Sequence, residues 1–266
     1  MRPHLPSAYL LDLDGTLYAD GRPIPEAVAA LAQLRAAAIP FRLVTNTTSR
    51  SRPMLVEQLR GYGFVVEAAE LFTAIMAGAE GAAGAGYRRA APFLPDAALP
   101  DLGGLDLAGG TTGRTPPAGW RADVVVVGDL GARWSHGLMQ EAFEHLMAGA
   151  ALLALSRDRY WLKDGRLTLD AGPYVAGLEY AWGRSAEVAG KPSPRFFAAA
   201  LAALGAPEPA EVAMVGDDLW SDVAGAQAAG LRGWLVRTGK FRPEALEAGG
   251  VTPDRILGSV AELPAA

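Results

Sequence analysis

Asp12 and Asp14 stand two residues apart after the short apolar run Tyr9-Leu10-Leu11, and Gly15 and Thr16 follow them. Residues i and i+2 of an extended chain point the same way, so the two carboxylates can converge on one centre. At that spacing they repel unless a cation or a proton comes between them. Near the other end of the chain Asp217, Asp218 and Asp222 follow a second apolar run, Val212-Ala213-Met214-Val215. They add hard oxygen ligands of the kind Mg2+ prefers, and a magnesium site built from both ends of the chain satisfies the charges. Asp218 is the one of the three expected to cap a helix. A phosphoryl group is the natural substrate of such a site. Thr45 and Asn46 offer neutral hydrogen bonds just past a third strand, and Lys191, in Gly190-Lys191-Pro192-Ser193-Pro194, brings a positive charge beside a helix start. Both kinds of group suit phosphate oxygens.

The elements that must position these residues alternate between strand and helix. After Tyr9–Leu11, a helix with Pro25 in its first turn and Glu26 at its positive end repeats Val28, Leu31 and Leu34 at helical spacing. Phe41–Val44 reads as a strand, and a helix with Met54, Leu55 and Leu59 stops at Gly61 or Gly63. The pattern then changes. Residues 77–120 are rich in Ala, Gly and Pro and assign no elements, whereas Val124–Val127, Leu138–Met147 and Ala151–Leu155 read as strand, helix and strand. The last 80 residues resume the first pattern: a helix capped by Ser193 and closed by Gly205, the strand Val212–Val215, a short helix to Gly230 and a strand from Gly233 to Val236. This is a parallel α/β sheet whose chain leaves for a middle domain and returns. Ligands of such sheets bind outside the carboxyl ends of the strands, and three polar clusters placed there imply one shared crevice.

At about 150 residues per domain, 266 residues hold a little under two domains. A net charge of −5 is too acidic for a general nucleic-acid binder. The absence of cysteine excludes disulfides, thiolate metal sites and cysteine nucleophiles. No apolar segment reaches the length of a membrane helix and none reads as a signal peptide, so a cytoplasmic protein is expected.

The segment Asp12-Leu13-Asp14-Gly15-Thr16-Leu17-Tyr18 resembles the first motif of the haloacid dehalogenase (HAD) superfamily of phosphatases. Val44-Thr45-Asn46 resembles its second motif, Gly190-Lys191-Pro192 its third, and Gly216-Asp217-Asp218 with Asp222 its fourth. All four occur in family order and span essentially the whole chain. The Thr-Asn form, with a large insert between the second and third motifs, is similar to the nitrophenylphosphatase-like subfamily with an α/β cap. Leu169–Tyr174, Leu178–Tyr180, Gly190–Pro194 and Arg237–Pro243 resemble the phosphatases of phospholysine, phosphohistidine and pyrophosphate and their relatives.

The resemblance implies a Rossmann-like parallel-sheet core over residues 1–76 and 187–266 with an inserted α/β cap over 77–186. It implies hydrolysis of phosphate monoesters, pyrophosphate or phosphoramidates, with Asp12 forming an aspartyl-phosphate and Asp14 acting as general acid and base. Thr45, Asn46 and Lys191 would hold the transferring group. Mg2+ would be held by Asp12, the backbone carbonyl of Asp14 and Asp217, with Asp222 acting through water. The implied partner is a small phosphorylated substrate or pyrophosphate, with no nucleic acid and no membrane, and the chain would form a homodimer through the cap. The alternatives that use the same site are a phosphoryl-binding regulatory protein with little turnover, and a phosphotransferase or mutase.

Other motifs fall away. Pro192 stands where a nucleotide P-loop needs Ser or Thr, Gly239-Lys240 is followed by Phe241, and Val124–Gly131 lacks the glycine pattern of a dinucleotide turn. His136 and His145 have no metal spacing and read as structural or surface residues. Tyr160 and Trp161 beside Arg157 and Arg159 fit a substrate mouth or a cap core equally. If the 155–174 segment hangs over the crevice, Arg159 and the turn at Asp164-Gly165 set selectivity.

Overall fold

The computed structural model describes residues 5–163 and 166–263. Ala8–Asp12 (β1) is followed by a two-strand hairpin of Tyr18–Ala19 (β2) and Arg22–Pro23 (β3), helix Ala27–Ala36 (α1), strand Phe41–Thr45 (β4), helix Arg52–Gly61 (α2) and strand Leu71–Thr73 (β5). Helix Ala74–Gly84 (α3) leads into Arg89–Phe93 (β6), Asp106–Leu107 (β7), Val124–Val127 (β8), helix His136–Met147 (α4) and Ala151–Ala154 (β9). Tyr160–Lys163 (β10) and Arg166–Leu169 (β11) form an antiparallel hairpin, and helix Gly172–Trp182 (α5) and Glu187–Val188 (β12) follow. The chain closes with helix Pro194–Ala203 (α6), Val212–Gly216 (β13), helix Gly225–Ala228 (α7), Arg232–Val236 (β14), helix Pro243–Glu247 (α8) and Arg255–Leu257 (β15).

Two parallel sheets result. The first has six strands in the order β15-β14-β13-β1-β4-β5, the second five in the order β12-β9-β8-β6-β7. The expected α/β class is borne out, as is the departure and return of the chain. In the first sheet the chain runs outward on one side through β1, β4 and β5, then returns to build β13, β14 and β15 on the other. The reversal lies between β1 and β13, which pair from Ala8↔Val212 to Leu11↔Val215. That is the topological switch point where such sheets open a crevice.

Strands covered on both faces read as continuous apolar runs, and β1, β13 and β8 are buried at every residue. Alternation along β1 sends Tyr9 and Leu11 toward Leu31 and Leu34 of α1 and Leu55 and Leu59 of α2. Ala8 and Leu10 face Phe196 and Phe197 of α6. The second sheet is sandwiched the same way, with α3 on one face and α4 and α5 on the other. Among the described residues no helix is long and apolar enough to cross a membrane.

Several local expectations need correction. Helix α1 begins at Ala27, after Pro25, with Glu26 at the cap in the left-handed region at φ 65°. Ser193 occupies the cap position of α6, but its side chain makes no capping bond. Residues 77–120, which assigned nothing from sequence, hold most of α3 together with β6 and β7. The limits drawn at 77 and 186 cut across structure. Helix α3 packs Ala74, Ile75 and Ala82 with the second sheet while Met76 and Ala77 touch the first unit, and β12 pairs Glu187↔Leu153 in the second sheet.

Candidate active site

β1, β4 and β13 all end at the same edge, and each delivers a polar residue there. Asp12 is the last residue of β1, Thr45 the last of β4, and Asp217 follows Gly216 at the end of β13. Gly15 lets the chain turn away after Asp14. Its φ is +80°, and a Cβ there would lie 1.9 Å from Asp217 Oδ2. Only a residue without a side chain lets the first loop rest on that carboxylate.

Asp12, Asp217 and Asp222 are buried together, with one carboxylate oxygen of each inside a 4.8 Å group. Lys191 reaches into them: its Nζ donates to Asp12 Oδ1 at 2.5 Å and to Asp222 Oδ1 at 2.6 Å. Burial raises the pKa of Asp12 against the opposing pull of Lys191. Burial and the Asp12 charge raise Asp217 well above the carboxylate range. Lys191 is lowered by burial but lifted more by Asp12 and Asp222, so it stays charged. Three buried carboxyl groups facing one ammonium can all ionise only beside further positive charge, and a hard divalent cation fits that donor set.

Asp14 lies outside that group with its side chain exposed, and Tyr18 Oη donates to its Oδ2 at 3.2 Å. Its surface is open to solvent, yet the enclosing walls thin its hydration and raise its pKa. Thr45 Oγ1 accepts the Thr47 N–H at 3.0 Å. Asn46 does something the sequence did not reveal. Its Oδ1 accepts the Lys191 N–H at 2.8 Å and its Nδ2 donates to the Lys191 carbonyl at 2.9 Å, so its amide is turned to the Lys191 backbone.

Asp218 does cap: its Oδ1 accepts the N–H groups of Trp220 and Ser221, opening the six-residue π-helical turn 219–224 that presents Asp222. Lys240, whose Gly-Lys-Phe setting does not fit a P-loop, joins these groups. It follows β14 at the same sheet edge, its N–H donates to Asp217 Oδ2 at 2.6 Å, and its Nζ lies 3.4 Å from Asp218 Oδ2. Its place after a strand end was the available signal.

A cavity of about 460 Å3 opens beside these groups. Asp217, Asp218, Ser221 and Lys240 line its inner end, while Arg159, Tyr160 and Leu167 of the hairpin region face Trp220, Phe241 and Arg242. Arg242 stacks over Tyr160 at 5.7 Å. Arg157 is held by Glu179 at 2.6 Å. The 155–174 segment therefore hangs over the crevice, and Asp164-Gly165 lies outside the described residues. His145 packs edge-on against Trp120, far from this chemistry.

A haloacid dehalogenase-like hydrolase model matches residues 9–95, and a HAD-hydrolase-like model matches residues 188–263. The chain belongs to the haloacid dehalogenase-like hydrolase family. Haloacid dehalogenase-like hydrolase domain-containing protein 2 of Bos taurus is 38% identical over 88% of this chain and 85% of its own length. Phospholysine phosphohistidine inorganic pyrophosphate phosphatase of Homo sapiens is 36% identical over 95% of this chain and 91% of its own. Among solved structures, the p-nitrophenyl phosphatase of Archaeoglobus fulgidus superposes with a TM-score of 0.86 at 27% identity, covering 97% of this chain and 98% of that one. The family and fold implied by the four motifs are thereby borne out.

Proposed function

We propose that this family member is a Mg2+-dependent phosphatase that hydrolyses phosphate monoesters, pyrophosphate or phosphoramidates through an aspartyl-phosphate on Asp12. The observation that supports it most directly is the placement of Asp12 at the switch point, bonded to buried Lys191, with exposed Asp14 two residues on. An Asp12 oxygen forms a bond to phosphorus as the bond from phosphorus to the leaving group breaks. Asp14 gives its proton to the departing atom, and its raised pKa is the direction a general acid needs. The regenerated Asp14 carboxylate then takes a proton from water. The water oxygen bonds to phosphorus, the bond to Asp12 breaks, and phosphate leaves with Asp12 restored. Lys191 and Thr45 hold the transferring group. Asn46 serves it through the backbone of Lys191.

Asp12, Asp217 and the backbone carbonyl of Asp14, with Asp222 beside them acting through water, would hold the metal. When bound, it offsets negative charge on the phosphoryl oxygens. The second sheet serves as the cap, and its hairpin faces the leaving group. We further propose that the enzyme is cytoplasmic and dimerises through the cap. Hydrolysis of p-nitrophenyl phosphate by purified protein, with and without Mg2+, tests the reading. Absence of turnover in both would overturn it.

A further inference from the structure

Asp158 lies on the second unit, between β9 and β10, and takes no part in the chemistry proposed above. On its own side it is fixed through the backbone: its N–H donates to Ser156 Oγ at 3.1 Å, and its carbonyl accepts the Gly172 N–H at 3.0 Å. Its carboxylate crosses to the first unit. Oδ1 accepts the Ser221 hydroxyl at 2.9 Å, and Oδ2 accepts from Asn46 Nδ2 at 3.2 Å. Asn46 in turn clasps the Lys191 backbone by two bonds, one to each peptide group. A primary amide has two N–H donors, and here the Lys191 carbonyl and Asp158 are the two acceptors.

We propose that Asp158 is a positioning residue, one that carries the docking of the second unit through the Asn46 amide to the Lys191 backbone, and so to the ammonium between Asp12 and Asp222. The inference rests on the phosphatase reading of that site. A carboxylate can only accept. It therefore holds Asn46 with nitrogen outward and opposes the flipped amide, whose oxygen would face it and whose two bonds to Lys191 would be lost. A charged acceptor also makes a stronger bond than a neutral one. Opening the junction withdraws Asp158 and frees Asn46. The ammonium is then fully held only when the second unit is closed over the crevice.

Asp158→Ala, Asp158→Asn and Ser221→Ala test this, read by kcat/KM on p-nitrophenyl phosphate with Mg2+ and by hydrogen exchange of the Lys191 amide. Asp158→Ala lowers kcat/KM about tenfold and speeds Lys191 exchange about tenfold, the range expected when a charged acceptor is removed. Asp158→Asn restores both to within about threefold, because its carbonyl still accepts from Asn46 while its amide donates to the Ser221 hydroxyl. Ser221→Ala, which removes one of the two bonds, falls between. Unchanged Lys191 exchange in Asp158→Ala overturns the proposal, whatever happens to turnover. Equal damage in the Asn and Ala variants does so as well. Should the Ala variant not fold, the order of exchange rates between Ser221→Ala and Asp158→Asn decides. If the wild type hydrolyses nothing, the phosphatase reading falls, and Lys191 exchange still decides whether Asp158 acts on Lys191.

Discussion

Asp12 and Asp222 share one ammonium, so a change at Asp12 alters both charge and chemistry. Asp12→Asn keeps the shape and an acceptor for Lys191 but removes the nucleophile. We expect less than about a hundredth of wild-type kcat, since loss of a covalent nucleophile costs several kcal/mol, with a cooperative melting transition retained. Steady-state assay beside thermal unfolding checks both halves. Asp170 offers a pH test away from the reacting atoms. Burial and the neighbouring Asp158 charge raise its pKa from 3.8 to about 7. The folded state thus keeps a proton that the unfolded chain has released, and this contribution to stability falls as pH rises from the unfolded to the folded value. Asp170→Asn should therefore gain on the wild type more at pH 8 than at pH 5 in urea titrations. An equal difference at both values would show that Asp170 does not titrate there. Asp12, Thr45, Asn46, Asp217 and Lys191 were legible as candidates because each ends or follows a strand or stands just before a helix. Asp158 was not, because its partners Asn46 and Ser221 are distant in sequence and only docking joins them.

At the scale of elements, the hairpin β10-β11 forms the outer wall of the cavity. Contacts to a remote part of a substrate change discrimination more than core chemistry. Arg159→Ala is expected to alter relative kcat/KM across phosphate esters and pyrophosphate by more than about fivefold, a loss of roughly 1 kcal/mol at a polar contact, while p-nitrophenyl phosphate changes least. A uniform change on every substrate would return Arg159 to a structural role. At the base of the same wall α5 starts hard against the chain before β10: a Cβ on Gly172 would lie 2.5 Å from the Asp158 carbonyl and 2.6 Å from that of Arg157. Gly172→Ala should cost about 1–3 kcal/mol in chemical unfolding, as overpacking against backbone does. Elements with a long apolar signal, such as Val124–Val127, were legible. The two-residue strands β7 and β12 carry too few side chains to show a period, and the hairpin β10-β11, outside both parallel sheets, mixes Arg, Lys and Thr with its apolar residues and so lacks the continuous apolar run of a buried strand.

For the whole molecule, the proposed dependence on divalent metal rests on the cluster of Asp12, Asp217 and Asp222. Chelation is expected to stop turnover and Mg2+ to restore it. Ca2+ should inhibit, because it takes more ligands at longer distances. Full rates in chelator would remove metal from the account. The fold was legible at this scale because strand and helix signals alternate at both ends of the chain and break between them. Its internal border was not. Helix α3 serves both sheets, so its small apolar residues run past residue 77 with no break to mark a boundary.

The two passages of the chain between the sheets lie side by side: a Cβ on Gly190 would stand 3.0 Å from that of Ala74. To the six-stranded sheet, everything between them is one long loop whose ends already meet. Such an insert can be lengthened, shortened or exchanged whole without shifting the register of β1 against β13 or β4. The two halves of the molecule can thus diverge at different speeds, so long as a replacement keeps an acceptor where Asp158 meets Asn46. Most of the bond-breaking chemistry stays anchored in one unit, and new specificities can arrive by recombination of the other.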